Sequence, residues 1–162
     1  MAWIPVVISV QTADFDVARE YDALRENSGT GAVVMFSGLV RDMNLGDTVG
    51  GLYLEHYPGM TEKSLQAIVD EACERWPIDA WRVIHRVGQL DIKDQIVFVG
   101  MASAHRQAAF EACEFLMDYL KTRAPFWKRE QTTEGERWIE ARDSDSEAAD
   151  RWQAADSPVI GE

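Results

Sequence analysis

The sequence predicts a single α+β domain, with a mostly antiparallel sheet packed against helices. Two observations predict it. Apolar residues recur at helical spacing in three segments, and short runs rich in Val, Ile, Met and Phe lie between them, giving the order helix, hairpin, helix, hairpin, helix. The length of 162 residues and the hydrophobic share of 46% also fit one globular core.

The elements follow in order. Residues 14–26 form a short helix with Asp14 as N-cap and Val17, Ala18, Tyr21 and Leu24 or Arg25 on its stripe. Gly31 to Val40 is a strand, and the polar loop from Arg41 to Thr48, with Asn44 and Gly46 as turn residues, leads to a returning strand from Val49 to Tyr57. Pro58-Gly59 ends that strand. From Thr61 onward, Leu65, Ile68, Val69, Ala72, Cys73 and Trp76 mark the clearest helix, which Pro77 stops. Trp81 to Val87 and Gln95 to Ala102 are two further strands joined by a polar turn at 91–94. Ser103 caps a helix whose apolar face carries Ala109, Ala112, Cys113, Leu116 and Leu120. Beyond Pro125 the chain turns acidic, with ten acids and three bases between Glu130 and Glu162. Trp138 and Ile139 form a short strand or docked segment there. The domain spans 1–150, and 151–162 is an acidic, mobile tail.

With 28 acids against 16 bases, the net charge of −12 argues against general binding to nucleic acid or anionic membranes. No run approaches the roughly 18 apolar residues of a membrane helix. Met1-Ala-Trp-Ile-Pro5 has no basic start, so the expected location is cytoplasmic. Cys73 and Cys113 fall on helix stripes, where cysteine acts as a small hydrophobe, and with three histidines they make no metal-ligand spacing. No metal or cofactor is expected.

Against this acidic background, Lys121, Arg123, Lys128 and Arg129 occur within one short stretch free of acids. Such an island points to an anion site. Pro125 divides it, placing Lys121 near a helix end and Lys128 beyond it on irregular backbone anchored by Phe126 and Trp127. The alternative is a basic helix end that merely complements the dipole. Ser103-Ala-His-Arg106 lies where a strand enters a helix, whose unpaired N–H groups favour anions. Arg106 opposes the dipole there, which favours a role on an anion over an ion pair to an acidic neighbour. His105 is either a general acid–base or a packing residue. His56 and His85 read as structural. Arg41 is a further cation, weak by itself. Neither a nucleophile elbow nor a phosphate loop or dinucleotide fingerprint is present.

Taken together, Phe36-Ser-Gly-Leu-Val-Arg41, Leu54-Glu-His-Tyr-Pro-Gly-Met-Thr-Glu-Lys63, His85-Arg-Val-Gly88, Ser103-Ala-His-Arg106 and Leu120-Lys-Thr-Arg-Ala-Pro-Phe-Trp-Lys-Arg-Glu130 resemble the large, catalytic subunit of molybdopterin synthase. The resemblance runs from about Gly31 to Arg142. It implies an α/β hammerhead-like fold and a sulfurtransferase that converts cyclic pyranopterin monophosphate to the molybdopterin dithiolene. Both sulfurs come from the C-terminal thiocarboxylate of a small ubiquitin-like partner whose Gly-Gly tail enters the large subunit. The implied assembly is a heterotetramer, with a homodimer of large subunits at its centre. Lys121, Lys128 and His105 are the implied catalytic residues. Arg41 and Arg106, with Leu39, Val40, Arg129, Glu130 and Arg142, are the implied substrate contacts.

The residue chemistry fits those implications. A cationic pocket suits a phosphate, and sulfur supplied by the partner leaves the cysteines free to be buried. Two other readings stand beside it. One is a non-catalytic module that docks a phosphate ligand or a partner tail through the same cations. The other is a phosphate-handling hydrolase, which no carboxylate pair supports. The acidic C-terminal third is expected to wall the partner groove, and removing Glu130 onward to leave the core folded. Because Arg106 and Lys121 lie at opposite ends of one helix, the site is expected to be shared between two subunits.

Overall fold

The computed structural model describes residues 8–41, 43–44, 47–132, 135–139 and 143–155. The chain opens with β1 (Ile8–Gln11), α1 (Val17–Leu24), β2 (Ala32–Leu39), β3 (Met43–Asn44), β4 (Asp47–His56) and α2 (Met60–Arg75). It continues with β5 (Ala80–Arg86), β6 (Gly88–Leu90), β7 (Gln95–Ser103) and α3 (Arg106–Arg123). β8 (Phe126–Thr132), β9 (Gly135–Ile139) and α4 (Asp143–Ala155) follow. The α+β class and the antiparallel bias match the expectation. The sheet does not stay single: one sheet runs β1-β5-β7-β2, and a second runs β3-β4-β8-β9 with β6 also on β4. β1, unforeseen in the sequence, pairs parallel to β5.

Side-chain alternation along the first sheet sets the layers. Val83, Val97, Val99 and Met101 face α2 and α3, packing with Leu65, Ile68, Val69, Ala112, Phe115 and Leu116. Ile84, Phe98 and Ala102 face the other way, against Leu24 of α1. Val40, Leu52, Leu54, Val87 and Leu90 form a third cluster beneath the second sheet. The chain crosses between sheets at Gly88, whose φ of 86° is left-handed backbone that favours glycine.

Several local expectations are corrected. α1 starts three residues later than predicted, capped by Asp16, whose carboxylate accepts from the Ala18 N–H at 3.0 Å. Asp14 instead accepts from the Phe15 N–H and from the Gln95 amide, and the Gln95 bond is the main reason its carboxyl sits below the usual range. Ser103 does not cap α3: its hydroxyl donates to the Pro77 carbonyl at 2.7 Å, and His105 occupies the N-cap without a side-chain bond. Lys128 is not on irregular backbone. Pro125 ends α3, as predicted, but the chain re-enters a sheet at once, and Lys128 lies inside β8 between β4 and β9.

The acidic C-terminal third is not an appendage. α4 continues through Ala155 and buries Ala149 against α3. Trp152 meets Trp76 and Phe115 edge-on at 5.6 and 5.5 Å, and its indole N–H donates to Asp118 at 2.6 Å. Removing Glu130 onward would cut β8 midway and strip this aromatic cluster, so an intact remaining core is no longer expected. Residues 156–162 lie outside the described residues.

Candidate active site

The path β7–α3 decides where the predicted residues fall. β7 runs from Gln95, beside Leu39 of β2, to Ser103, beside Ala32. α3 starts just beyond Ser103 and returns over the sheet. Lys121, near its end, therefore comes back to the end of the sheet where β7 began. Leu39, Val40 and Arg41 lie at that same end, since Val40 exchanges backbone hydrogen bonds with Lys93 and Asp94 just before β7. His105 and Arg106 lie at the opposite end. Their separation from Lys121 is roughly 22 Å along the helix.

At the first end, Lys121 and Lys128 converge. The register of β8 on β4 sets Phe126 opposite His56 and Lys128 opposite Leu54, so all four share one face of the second sheet. That face meets His85 of β5, whose ring stacks on Phe126 with centroids 3.7 Å apart and planes 17° from parallel. Nδ1 of His85 lies 2.8 Å from the Arg86 carbonyl, which can only accept, so Nδ1 carries the proton. Burial lowers the His85 pKa to about 4, opposed by that hydrogen bond and helped by the charges of Lys128, Lys121 and His56. Lys128 and His56 share the face of the second sheet that meets this imidazole, and α3 brings Lys121 to the same end of the first sheet. His56 also faces Glu62 at 3.6 Å.

The start of α2 braces this region. Gly59 takes a φ of 86°, and its N–H donates to the Glu62 carboxylate. The Thr61 hydroxyl donates to the Pro125 carbonyl at 3.1 Å and accepts from the Tyr57 N–H at 3.0 Å. The turn between Lys121 and Lys128 is thus tied to the end of β4. Tyr57, Met60 and Trp127 are exposed around it. Trp127 lies opposite Glu55 and so faces away from Lys128.

At the other end, His105, Arg106, Gln107, Phe110 and Glu111 line an open cavity of about 600 Å³. Glu111 is engaged by the Trp76 indole N–H at 2.6 Å and by the Gln107 amide at 3.1 Å. Among the described residues Arg106 has no ion pair, so the acidic-neighbour reading finds no support there. Arg123, by contrast, is paired with Glu71. The alternative of a simple basic helix end therefore fits Arg123 better than Lys121.

The remaining predicted contacts divide as follows. Leu39 is 53% exposed, Arg41 is exposed, and Val40 is buried in the cluster under the second sheet. Arg129 and Glu130 sit on β8 opposite Tyr53 and Leu52. Arg142 lies outside the described residues. His85 was read from the sequence as structural only. Its signal was available: one titratable residue at an inward position of an apolar strand.

The cysteines take no part in this geometry. Burial pushes the Cys113 thiol up to about 12; Cys73, expected on the buried stripe of α2, is instead exposed, and partial desolvation raises its thiol as well. Both are unbonded. Among the described residues, no cluster of His, Cys, Asp and Glu could hold a metal, and no helix is long and apolar enough to cross a membrane.

Known proteins match this arrangement over nearly the whole chain. The family described as MoaE protein matches residues 10–123. The molybdopterin synthase catalytic subunit of Vibrio cholerae is 67% identical over 146 residues, covering 90% of this chain and 97% of that protein. A solved molybdopterin biosynthesis MoaE protein from Burkholderia ambifaria superposes with a TM-score of 0.76 at 52% identity, covering 91% of this chain and 98% of the other. The molybdopterin synthase crystal structure from Staphylococcus aureus gives 0.77 at 32% identity, covering 82% and 96%. With a family match over residues 10–123, high sequence identity and the same fold, this chain belongs to the MoaE family of molybdopterin synthase catalytic subunits.

Proposed function

We propose that the chain transfers two sulfurs, each from the C-terminal thiocarboxylate of one molecule of a small ubiquitin-like partner that leaves as its carboxylate, to cyclic pyranopterin monophosphate, forming the molybdopterin dithiolene. The observation that supports this reading is that Lys128, on the face of β8 that meets the buried His85, and Lys121, at the returning end of α3, lie at the same end of the first sheet. An acyl group brought to that point meets two ammonium groups from different elements. Lys121, at the mouth of a helix end, polarises the partner's terminal carbonyl. Lys128, held in a strand, moves a proton or stabilises charge as the adduct forms and collapses. Arg41 and Arg106 take the substrate phosphate, with the guanidinium fork suited to it. His105, exposed at the N-cap of α3, serves as proton shuttle.

The site is completed by a second copy of the chain. One small phosphate ligand cannot span the roughly 22 Å between Arg106 and Lys121. A two-fold axis brings the α3 start of one subunit beside the α3 end of the other. The edge strand β2 supports such a contact, because it exposes Met35, Phe36 and Leu39. Exposed Tyr57, Met60 and Trp127 offer the small partner an apolar surface around the Pro125 turn. Arg129, Glu130 and Arg142 belong to the same proposed pocket, and the reaction is placed in the cytoplasm, where two unbonded thiols are stable.

Reconstitution tests the proposal. The protein is mixed with thiocarboxylated small partner and the cyclic phosphate, and dithiolene product is measured. A binding module would hold both ligands and form none. Under the catalytic reading, Lys121→Ala keeps ligand affinity and loses turnover.

A further inference from the structure

We propose that His85 is a positioning residue: its ring, stacked flat on Phe126, is the support that holds the inner face of β8 so that Lys128 is presented at the end of the sheet where α3 brings Lys121. Phe126 and Lys128 are two positions apart on one strand and share its inner face. A rigid support beneath the first therefore sets the direction of the second. The stack also joins the two sheets, since His85 belongs to β5 and Phe126 to β8. Thr61 holds the same turn from the other side through the Pro125 carbonyl.

The chemistry of the ring explains why a histidine, rather than a lysine or arginine, suits this place. Its neighbours at the strand positions on either side, Val10 and Val97, are apolar. The charged groups that face it are Lys128 from β8, Lys121 from α3 and His56 from β4, with Glu62 of α2 paired to His56. A second fixed cation there would repel both lysines. A neutral, flat imidazole abuts them without doing so, and its backbone bond fixes its tautomer and its plane.

Two substitutions separate this role from others. His85→Phe keeps a flat neutral ring and loses the bond to Arg86. His85→Leu loses both the ring and the bond. Both should lose thermal stability, His85→Leu the more, while kcat for dithiolene formation diverges beyond that difference. The expected result is a Phe variant within about threefold of the parent kcat and a Leu variant reduced about 10- to 100-fold, with KM for the pterin phosphate unchanged in both. Equal loss in both variants would mean that the flat ring under Phe126 is not what His85 contributes, and it would overturn the positioning role. Parent kcat in both, or a change confined to KM, would overturn it too. If His85→Leu does not fold, Phe126→Leu removes the other half of the stack and must show the same fall in kcat. The inference rests on the role proposed for Lys128. Full activity in Lys128→Ala removes that role, whereas loss in Lys128→Ala with full activity in His85→Leu removes only the positioning.

Discussion

Mixing two inactive proteins should restore activity if the site is built from two subunits. The perturbation pairs Arg106→Ala with Lys121→Ala, each a truncation at one end of α3. The ends are roughly 22 Å apart by helical rise, beyond the reach of one pterin phosphate. No proline or glycine interrupts α3 between them, so a kink does not close the gap. In a shared site, every homodimer of either variant carries one lesion per site. A heterodimer collects both lesions in one site and leaves the other whole. Random exchange of equal amounts makes half the dimers mixed, so about a quarter of all sites recover. The assay is dithiolene formation before and after subunit exchange, with exchange confirmed by mass spectrometry of differently tagged chains. A reciprocal control mixes the parent protein with the double variant. The shared site then leaves about a quarter of the sites active, and a site contained in one chain leaves about half. Confirmed exchange with no recovery in the first experiment, together with half activity in the second, would refute the reasoning.

Other outcomes follow from the same geometry. Lys121→Ala and Lys128→Ala should each lower turnover by orders of magnitude, and the exposed Lys121 should change unfolding free energy by no more than about 0.5 kcal/mol in a denaturant titration. Trp152→Ala should destabilise the fold by about 3 kcal/mol, because it removes the edge-on contacts to Trp76 and Phe115 and the bond to Asp118; an unchanged melting temperature would contradict that packing. His85 has an ordinary pKa of 6.5 when unfolded and about 4 in the fold, so between those values the unfolded chain binds a proton that the folded chain refuses. Stability should therefore fall as pH drops from 6.5 toward 4, by on the order of 3 kcal/mol, and His85→Phe should flatten that slope in urea titrations across the range. Trp127→Ala should weaken the small partner about tenfold or more in a calorimetric titration while leaving the pterin affinity unchanged.

The parts of the fold that were legible in the sequence are those set by local chemistry. α2 declares itself through Leu65, Ile68, Val69 and Ala72 and stops before Pro77, because spacing and a missing N–H act within one turn. Pro125 likewise divides Lys121 from Lys128. What the sequence hid was pairing. β1 and β6 are short, and their partners, β5 and β4, lie far along the chain, so nothing within either segment announces a second sheet. Lys128 looked like loop for the same reason: its strand is defined by Leu54 and Ile139, one on each side. The caps misled in a different way. Asp14 and Ser103 each have the right chemistry for a cap, but Gln95 and Pro77 offered them other partners.

The site shows the same division between local and non-local information. Lys121 and Lys128 stand out by charge alone, since the acidic chain sets four cations in one short stretch, whereas Arg41 and Arg106 stand singly. The arrangement of these cations could not be read in the same way, because it depends on the direction of β7. Ser103-Ala-His-Arg106 follows β7 directly, and a reader of the sequence would place its cations beside the strand that precedes it. The antiparallel return of α3 instead leaves them at one end of the sheet and carries Lys121 to the other. That second end is also where Arg41 follows β2, and Lys128 reaches it from a different sheet. A monomer built this way holds two half-sites facing apart, one suited to a phosphate and one to an acyl transfer. Sulfur transfer to a phosphorylated pterin needs both within a few ångströms of each other. Under the proposed shared site, the association of two copies serves the chemistry and also covers the exposed edge of β2.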